Sequence, residues 1–146
     1  LSAIRDSGDR ALIHNIETAL AVMPETGGGD VADLWLTRLQ IMRAWSLFFE
    51  DWPIVLMPNS YRHALKVDAD QGDTASLERL FHDQSPLLAT ALTGAPGLSV
   101  PTGLAPDGAP TGVQMLARWW DESSLLGAGR IVEAAMPPVR VVDPKG

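Results

Sequence analysis

Residues 91–117 read ALTGAPGLSVPTGLAPDGAPTGVQMLA. Glycine and proline punctuate the run. Gly94 fits a helix C-terminus, and Pro96 lies just beyond it. Gly97 to Pro101 reads as a strand, and Thr111 to Ala117 as another. The connection LAPDGAP carries Asp107-Gly108, a turn pair, so the two strands are expected to be antiparallel neighbours. Ser99 raises a chemical question, because GLSVPTG at 97–103 nearly spells the nucleophile-elbow motif G-x-S-x-G. In that motif the second glycine lets the following helix pack close to the strand. Pro101 stands there instead, and proline favours extended backbone in the residue before it. An elbow also leads directly into a helix, whereas here a turn and a strand follow. Ser99 therefore reads as an ordinary strand residue.

Upstream, IVLM at 54–57 is wholly apolar and bounded by Pro53 and Pro58, which favours a strand buried on both faces. Before it, residues 30–51 repeat apolar groups every three or four positions: Val31, Leu34, Trp35, Leu39, Met42, Trp45 and Phe49. That stripe predicts a helix with Asp30 as N-cap and the aromatic residues in the core. Residues 9–23 predict another helix, capped by Asp9 and followed by Pro24. Thr26 to Gly29 reads as a loop between the two, with no GK to make it a phosphate loop. Asn59 to Gly72 is a polar surface loop, and residues 74–92 form one or two helices broken near Pro86. Asp121 caps a last helix to about Met136, with Leu125, Ala128, Val132 and Ala135 on one face. VRVV at 139–142 reads as a short extended run. Helices alternate with short apolar strands, so the expected class is α/β. Three strands are few for helices with such wide apolar faces, which points to further structure against them.

The 146 residues suffice for one compact domain. With 46% hydrophobic and 20% charged residues, the composition is globular. Net charge is −7 and no basic run reaches four residues, which disfavours nucleic acid and anionic membrane surfaces as partners. There is no cysteine, so disulfides and thiolate chemistry are excluded. No apolar run approaches the ~18 residues of a membrane span, and no secretory signal pattern opens the chain. The expectation is a cytoplasmic protein. The first residue is Leu1 rather than Met, which leads us to expect a piece of a longer chain.

The residues alone offer no compelling catalytic constellation. His14 sits beside a helical apolar stripe and His82 near a helix end, both structural or solvated positions. No histidine pair has the spacing of a helical metal site. His63 follows the strand at 54–57 in PNSYRHALK, and α/β pockets open beyond the carboxyl ends of strands. A solvated loop competes with that pocket reading. Carboxylates are numerous, but none is singled out as a catalytic pair.

As a longer pattern, residues 91–117 resemble the amidase signature family near its C-terminus. The family run is N-L-x-G-x-P-x-x-S-V-P-x-G followed by G-x-P-x-G-V-Q. The chain supplies Leu92, Gly94, Pro96, Ser99, Val100, Pro101 and Gly103, then Gly108, Pro110, Gly112, Val113 and Gln114. FFEDWPIVLMP and RWWDESSLL are similar to the flanking family segments, so the resemblance covers about residues 40–136. One departure is Ala91, where the family has Asn. The resemblance implies the C-terminal part of the amidase signature fold, a mixed β-sheet covered by helices, with residues 1–146 forming a partial domain.

It also implies an activity. Amidase signature enzymes cleave carboxylic amides to acid plus ammonia or amine with a serine, cis-serine and lysine triad, and need no metal or organic cofactor. A hydroxyl nucleophile of this kind needs a neighbouring base and preorganised oxyanion donors. The triad lies around a G-G-S-S-G-G-type run in the N-terminal half of the family, and this chain has no such run. Lys66 and Lys145 are its only lysines, and neither sits in a matching motif. No catalytic residue is therefore assigned here, Ser99 included, and the chain alone is expected to be inactive. Pro58 to His63 is expected to border the acyl pocket, with Asn59, Tyr61 and His63 as substrate-binding residues. A small-molecule amide is the expected partner of the complete enzyme, and a homodimer stays open. So do a non-catalytic remnant or interaction module and a protein like the amide-cleaving A subunit of an amidotransferase. The isolated piece is expected to dissolve poorly, because a truncated sheet leaves an edge unpaired.

Overall fold

A computed structural model describes residues 2–6 and 8–138. Nine elements follow one another: α1 (Ser2–Asp6), α2 (Arg10–Val22), α3 (Gly28–Asp51), β1 (Ile54–Pro58), α4 (Thr74–Asp83), α5 (Ser85–Thr93), β2 (Gly97–Leu104), β3 (Pro110–Ala117) and α6 (Glu122–Ala135). VRVV at 139–142 lies outside the described residues.

The two strands of the opening stretch form the expected hairpin. Gly108 turns the chain at φ 83°, a region open to glycine, and the Ala105 N–H donates to the Ala109 carbonyl at 2.8 Å. Ser99 lies opposite Gln114 and Val100 opposite Val113. Register slips between Pro101 and Gly103, where Gly103 takes φ 126°. Proline has no N–H for a ladder, so it suits an edge strand next to such a slip.

β1 joins the other side of β3, giving the order β1-β3-β2 with both pairings antiparallel. The α/β class holds, and none of the described strands pairs in parallel, as a mixed sheet would need. The centre of the sheet is β3, where Gln114, Met115, Leu116 and Ala117 are all buried. β1, expected to be buried on both faces, is an edge strand with Leu56 59% exposed. An apolar run is buried twice only if strands flank it and layers cover it, and α6 packs chiefly on β2 and β3. Alternation along the strands aims Leu98, Val100, Val113 and Met115 at one face. There α6 contributes Leu125, Ala128 and Val132 to the core, while the expected fourth member, Ala135, is exposed.

The expected caps mostly form. The Asp9 carboxylate accepts from the Leu12 N–H at 3.0 Å, and Gly94 ends α5 in the left-handed region at φ 68°. α3 starts two residues before the expected cap. Asp30 lies inside its first turn, and its carboxylate reaches back to accept the Gly27 N–H at 2.6 Å. The glycines expected to form a loop thus supply the helix start.

The larger correction concerns the α3 stripe. Phe49 is buried, against Trp45 and the Trp119 ring, and Arg38 Nε donates to the Leu92 carbonyl at 2.8 Å. Met42 and Trp45 are half-buried, but Val31, Leu34, Trp35 and Leu39 are exposed, Trp35 to 58%. Leu36, Leu47 and Phe48 on other faces are exposed as well. A helix with this many apolar groups on more than one face calls for cover on more than one side. In this chain α3 packs mainly on α5, and no described element covers its N-terminal half.

Candidate functional site: a concavity beyond strand β1

β1 ends at Pro58, and the chain turns into the loop that opens with Asn59. That loop borders an open concavity of about 620 Å³. Asn59, Tyr61 and His63, the three expected pocket residues, all line it. The far wall comes from Gln84 and Leu87, at the α4–α5 junction and in α5, and from Pro110 to Gly112 at the start of β3.

The loop residues are held from two sides, by the hairpin strands β2 and β3 and by Asp83 at the end of α4. The Ser99 hydroxyl donates to Asn59 Oδ1 at 3.2 Å, and Gln114 Nε2 donates to the Pro58 carbonyl at 3.3 Å. A Cβ on Gly112 would stand 3.1 Å from Asn59 Nδ2 and from the Val100 carbonyl oxygen, so glycine there lets the loop lie close to the hairpin. The Tyr61 N–H donates to the Asp83 carbonyl at 2.9 Å, and its ring lies against His82. Ser60 is the hub. Its hydroxyl donates to the Asp83 carbonyl at 3.0 Å and accepts from the Arg62 N–H and from Gln84 Nε2, at 3.1 and 3.0 Å.

Two side chains of the loop lie beside carboxylates at this site. Arg62 Nε contacts Asp83 Oδ2 at 2.7 Å, and His63 Nδ1 lies 3.5 Å from Asp107 Oδ2 in the hairpin turn. The Ala109 N–H, and after it the His63 ring, hold the Asp107 carboxyl below its usual range. The other histidines are spoken for: His14 Nε2 lies 2.9 Å from the Gly72 carbonyl oxygen, and His82 faces Tyr61. Among the described residues, no cluster of three or more His, Asp or Glu is placed to hold a metal. Nor is any helix long and apolar enough to cross a membrane.

Ser99 lies in the middle of β2, and the chain around it is extended. Its hydroxyl positions Asn59. We expect Ser99→Ala, in the complete polypeptide, to change kcat by less than about tenfold, because one neutral hydrogen bond is worth about 1 kcal/mol. Loss of all turnover in a folded variant would restore Ser99 as a nucleophile.

Sequence reasoning put Ser60 inside the stretch 58–63 without singling it out, and missed Asp83, Gln84 and Asp107 as site residues. Asp83 anchors the loop through its main-chain oxygen, which carries no residue signature. A usable signal was the Pro86 break between α4 and α5, which marks a junction with free main-chain acceptors.

The fold and the concavity define an α/β chain with a site of small-molecule size at one strand end. The family model described as Amidase matches residues 31–126, and the chain belongs to that family. It is 35% identical over 100 residues to the A subunit of the glutamyl-tRNA(Gln) amidotransferase from Rhodospirillum rubrum, covering 67% of this chain and 19% of that protein. It is 35% identical over 96 residues to indoleacetamide hydrolase from Bradyrhizobium japonicum, covering 63% and 20%. Among solved structures, 6-aminohexanoate cyclic dimer hydrolase complexed with substrate superposes with TM-score 0.58 at 25% identity, covering 73% of this chain and 23% of that one. The chain spans about a fifth of the length of these relatives.

Proposed function

We propose that the chain is the C-terminal portion of an amidase signature hydrolase that cleaves a carboxylic amide to acid plus ammonia or amine. In this reading it supplies scaffold strands, covering helices and one wall of the substrate pocket. The observation that carries the reading is the placement of Asn59, Tyr61 and His63 on one concavity beyond β1, inside the family-matched region. The uncovered apolar surface of α3 supports it too, since a helix of that kind needs a larger core. The nucleophile, its base and the oxyanion donors would come from outside these residues, so the chain by itself is inactive.

The experiment is product analysis on the complete polypeptide. Incubation with simple primary carboxamides is expected to give acid and ammonia in equal amounts without added metal or organic cofactor. Transfer of the amide nitrogen to a second acceptor, with no free ammonia, would favour the amidotransferase alternative. No turnover or transfer at all would favour a non-catalytic module.

A further inference from the structure

β2 pairs with β3 on one side, and no described strand lies on its other side. The Ala117 N–H donates to the Pro96 carbonyl at the start of this ladder. Hydrogen-bonded and non-hydrogen-bonded pairs alternate along antiparallel strands. In the observed register, Leu98 and Val100 therefore turn their main-chain groups towards β3, and Gly97, Ser99 and Pro101 turn theirs outward. Proline has no N–H, so Pro101 brings an acceptor and no donor. An outward row of this kind is a template for a further strand.

The cover for such a strand is already in place. α6 packs most closely on β2, and its Leu126, Gly129, Arg130 and Glu133 border a groove of about 250 Å³ along the β2 edge. Leu126 is 55% exposed at this groove. A helix is about 10–12 Å across and paired strands lie about 4.8 Å apart, so a helix over β2 has width for a strand on either side. β3 takes one side, and no described element takes the other. The opposite edge of the sheet is different: Leu56 of β1 is 59% exposed, so a strand added there would find no such cover.

We propose that this groove receives a β-strand from the part of the complete polypeptide outside residues 1–146, hydrogen-bonded to Gly97 and Ser99 and carrying an apolar side chain beneath Leu126. The chain spans about a fifth of the length of its relatives, which leaves ample polypeptide to supply that strand. A second copy of this chain fits badly. Pairing two β2 edges antiparallel about Ser99 would set both α6 helices on one face of the sheet, over strands about 4.8 Å apart, whereas packed helices need about 8–10 Å. It would also place each Pro101, which has no donor, opposite a Gly97 carbonyl. A single added strand avoids both faults and ends at Pro101, where the β2–β3 register also slips. The proposal rests on the amidase reading above for the existence of that further polypeptide.

The test is amide hydrogen exchange in the unmodified complete polypeptide, read residue by residue along β2. The Val100 N–H, turned towards β3, serves as the internal reference. Gly97 and Ser99 are both expected to exchange about as slowly as Val100, and at least about a hundredfold more slowly than in an unfolded chain. Exchange at the unfolded-chain rate would overturn the proposal. Protection of only one of the two would also overturn it, because a strand engages alternate residues together. Protection that disappears on dilution, as a dimer dissociates, would give the groove to a second copy instead. A benzophenone side chain introduced at Leu126 then locates the occupant by photo-cross-linking and mass spectrometry. A cross-link to a segment outside residues 1–146 of the same molecule is the expected result. One confined to residues 1–146, or one joining two copies, would contradict it. Neither readout uses turnover, so an inactive polypeptide with both amides protected would sink the amidase reading and leave the added strand standing.

Discussion

Met115→Ala is expected to destabilise the complete polypeptide by about 2–5 kcal/mol, the range for removing a long buried side chain. Met115 is 1% exposed at the centre of the sheet, with Leu56 and Leu98 opposite it on the two neighbouring strands. Val100, Ala117 and Leu125 surround it. β3 is flanked on both sides and α6 closes over it, so the surroundings have little room to collapse into the vacated space. The loss then includes a cavity contribution as well as lost transfer energy. Met115→Leu keeps most of the volume and should lose less than about 1.5 kcal/mol. Denaturant midpoints followed by tryptophan fluorescence separate the two variants. Equal, small shifts would mean that the β3–α6 contact is not the core of this region.

Two glycines of α6 should respond differently to substitution. A Cβ on Gly129 would collide with the Leu98 side chain, and Met115 Cε stands 3.6 Å from the same position. Gly127 has open space around it. Replacing a mid-helix glycine by alanine gains about 1 kcal/mol of helix propensity. At Gly127 that gain is unopposed, so Gly127→Ala should stabilise by up to about 1 kcal/mol. At Gly129 the gain is offset by the need to move Leu98, the far end of a flexible side chain, and alanine should be near neutral. Gly129→Leu asks much more. It must lift α6 from the hairpin and should lose about 2–3 kcal/mol, within the usual overpacking range. The same unfolding midpoints decide the matter. A stable Gly129→Leu would show that α6 does not lie this close to β2.

Local chemistry made much of this legible in the sequence. Asp107-Gly108 located the turn, Gly94 and Pro96 the end of α5, and Asp9 a cap, since each acts within a few residues of itself. The extended run before Pro101 likewise disposed of the elbow. Burial was read less well. IVLM looked like a doubly buried strand, but strand order is a long-range property, and Gln114 to Ala117 took that place although a glutamine interrupts the run. The α3 stripe was read as core, yet Val31, Leu34, Trp35 and Leu39 face outward. Periodicity reveals which face wants cover and not whether the same chain provides it. The pocket was half legible. Pro58 marked a strand end, and Asn59, Tyr61 and His63 followed from that position. The grip on the loop came from Asp83, which is distant in sequence and acts through a main-chain atom.

A division of labour is the central claim: these residues shape and support an amide site whose nucleophile lies elsewhere. Ammonia release from hexanamide, measured for equal molar amounts of the 146-residue chain and of the complete polypeptide, tests this most directly. The expected result is turnover by the complete polypeptide and none above the uncatalysed background by the chain, a gap of many orders of magnitude for amide hydrolysis. Amide cleavage by the 146-residue chain alone, abolished by substitution of one of its own serines, would contradict the claim.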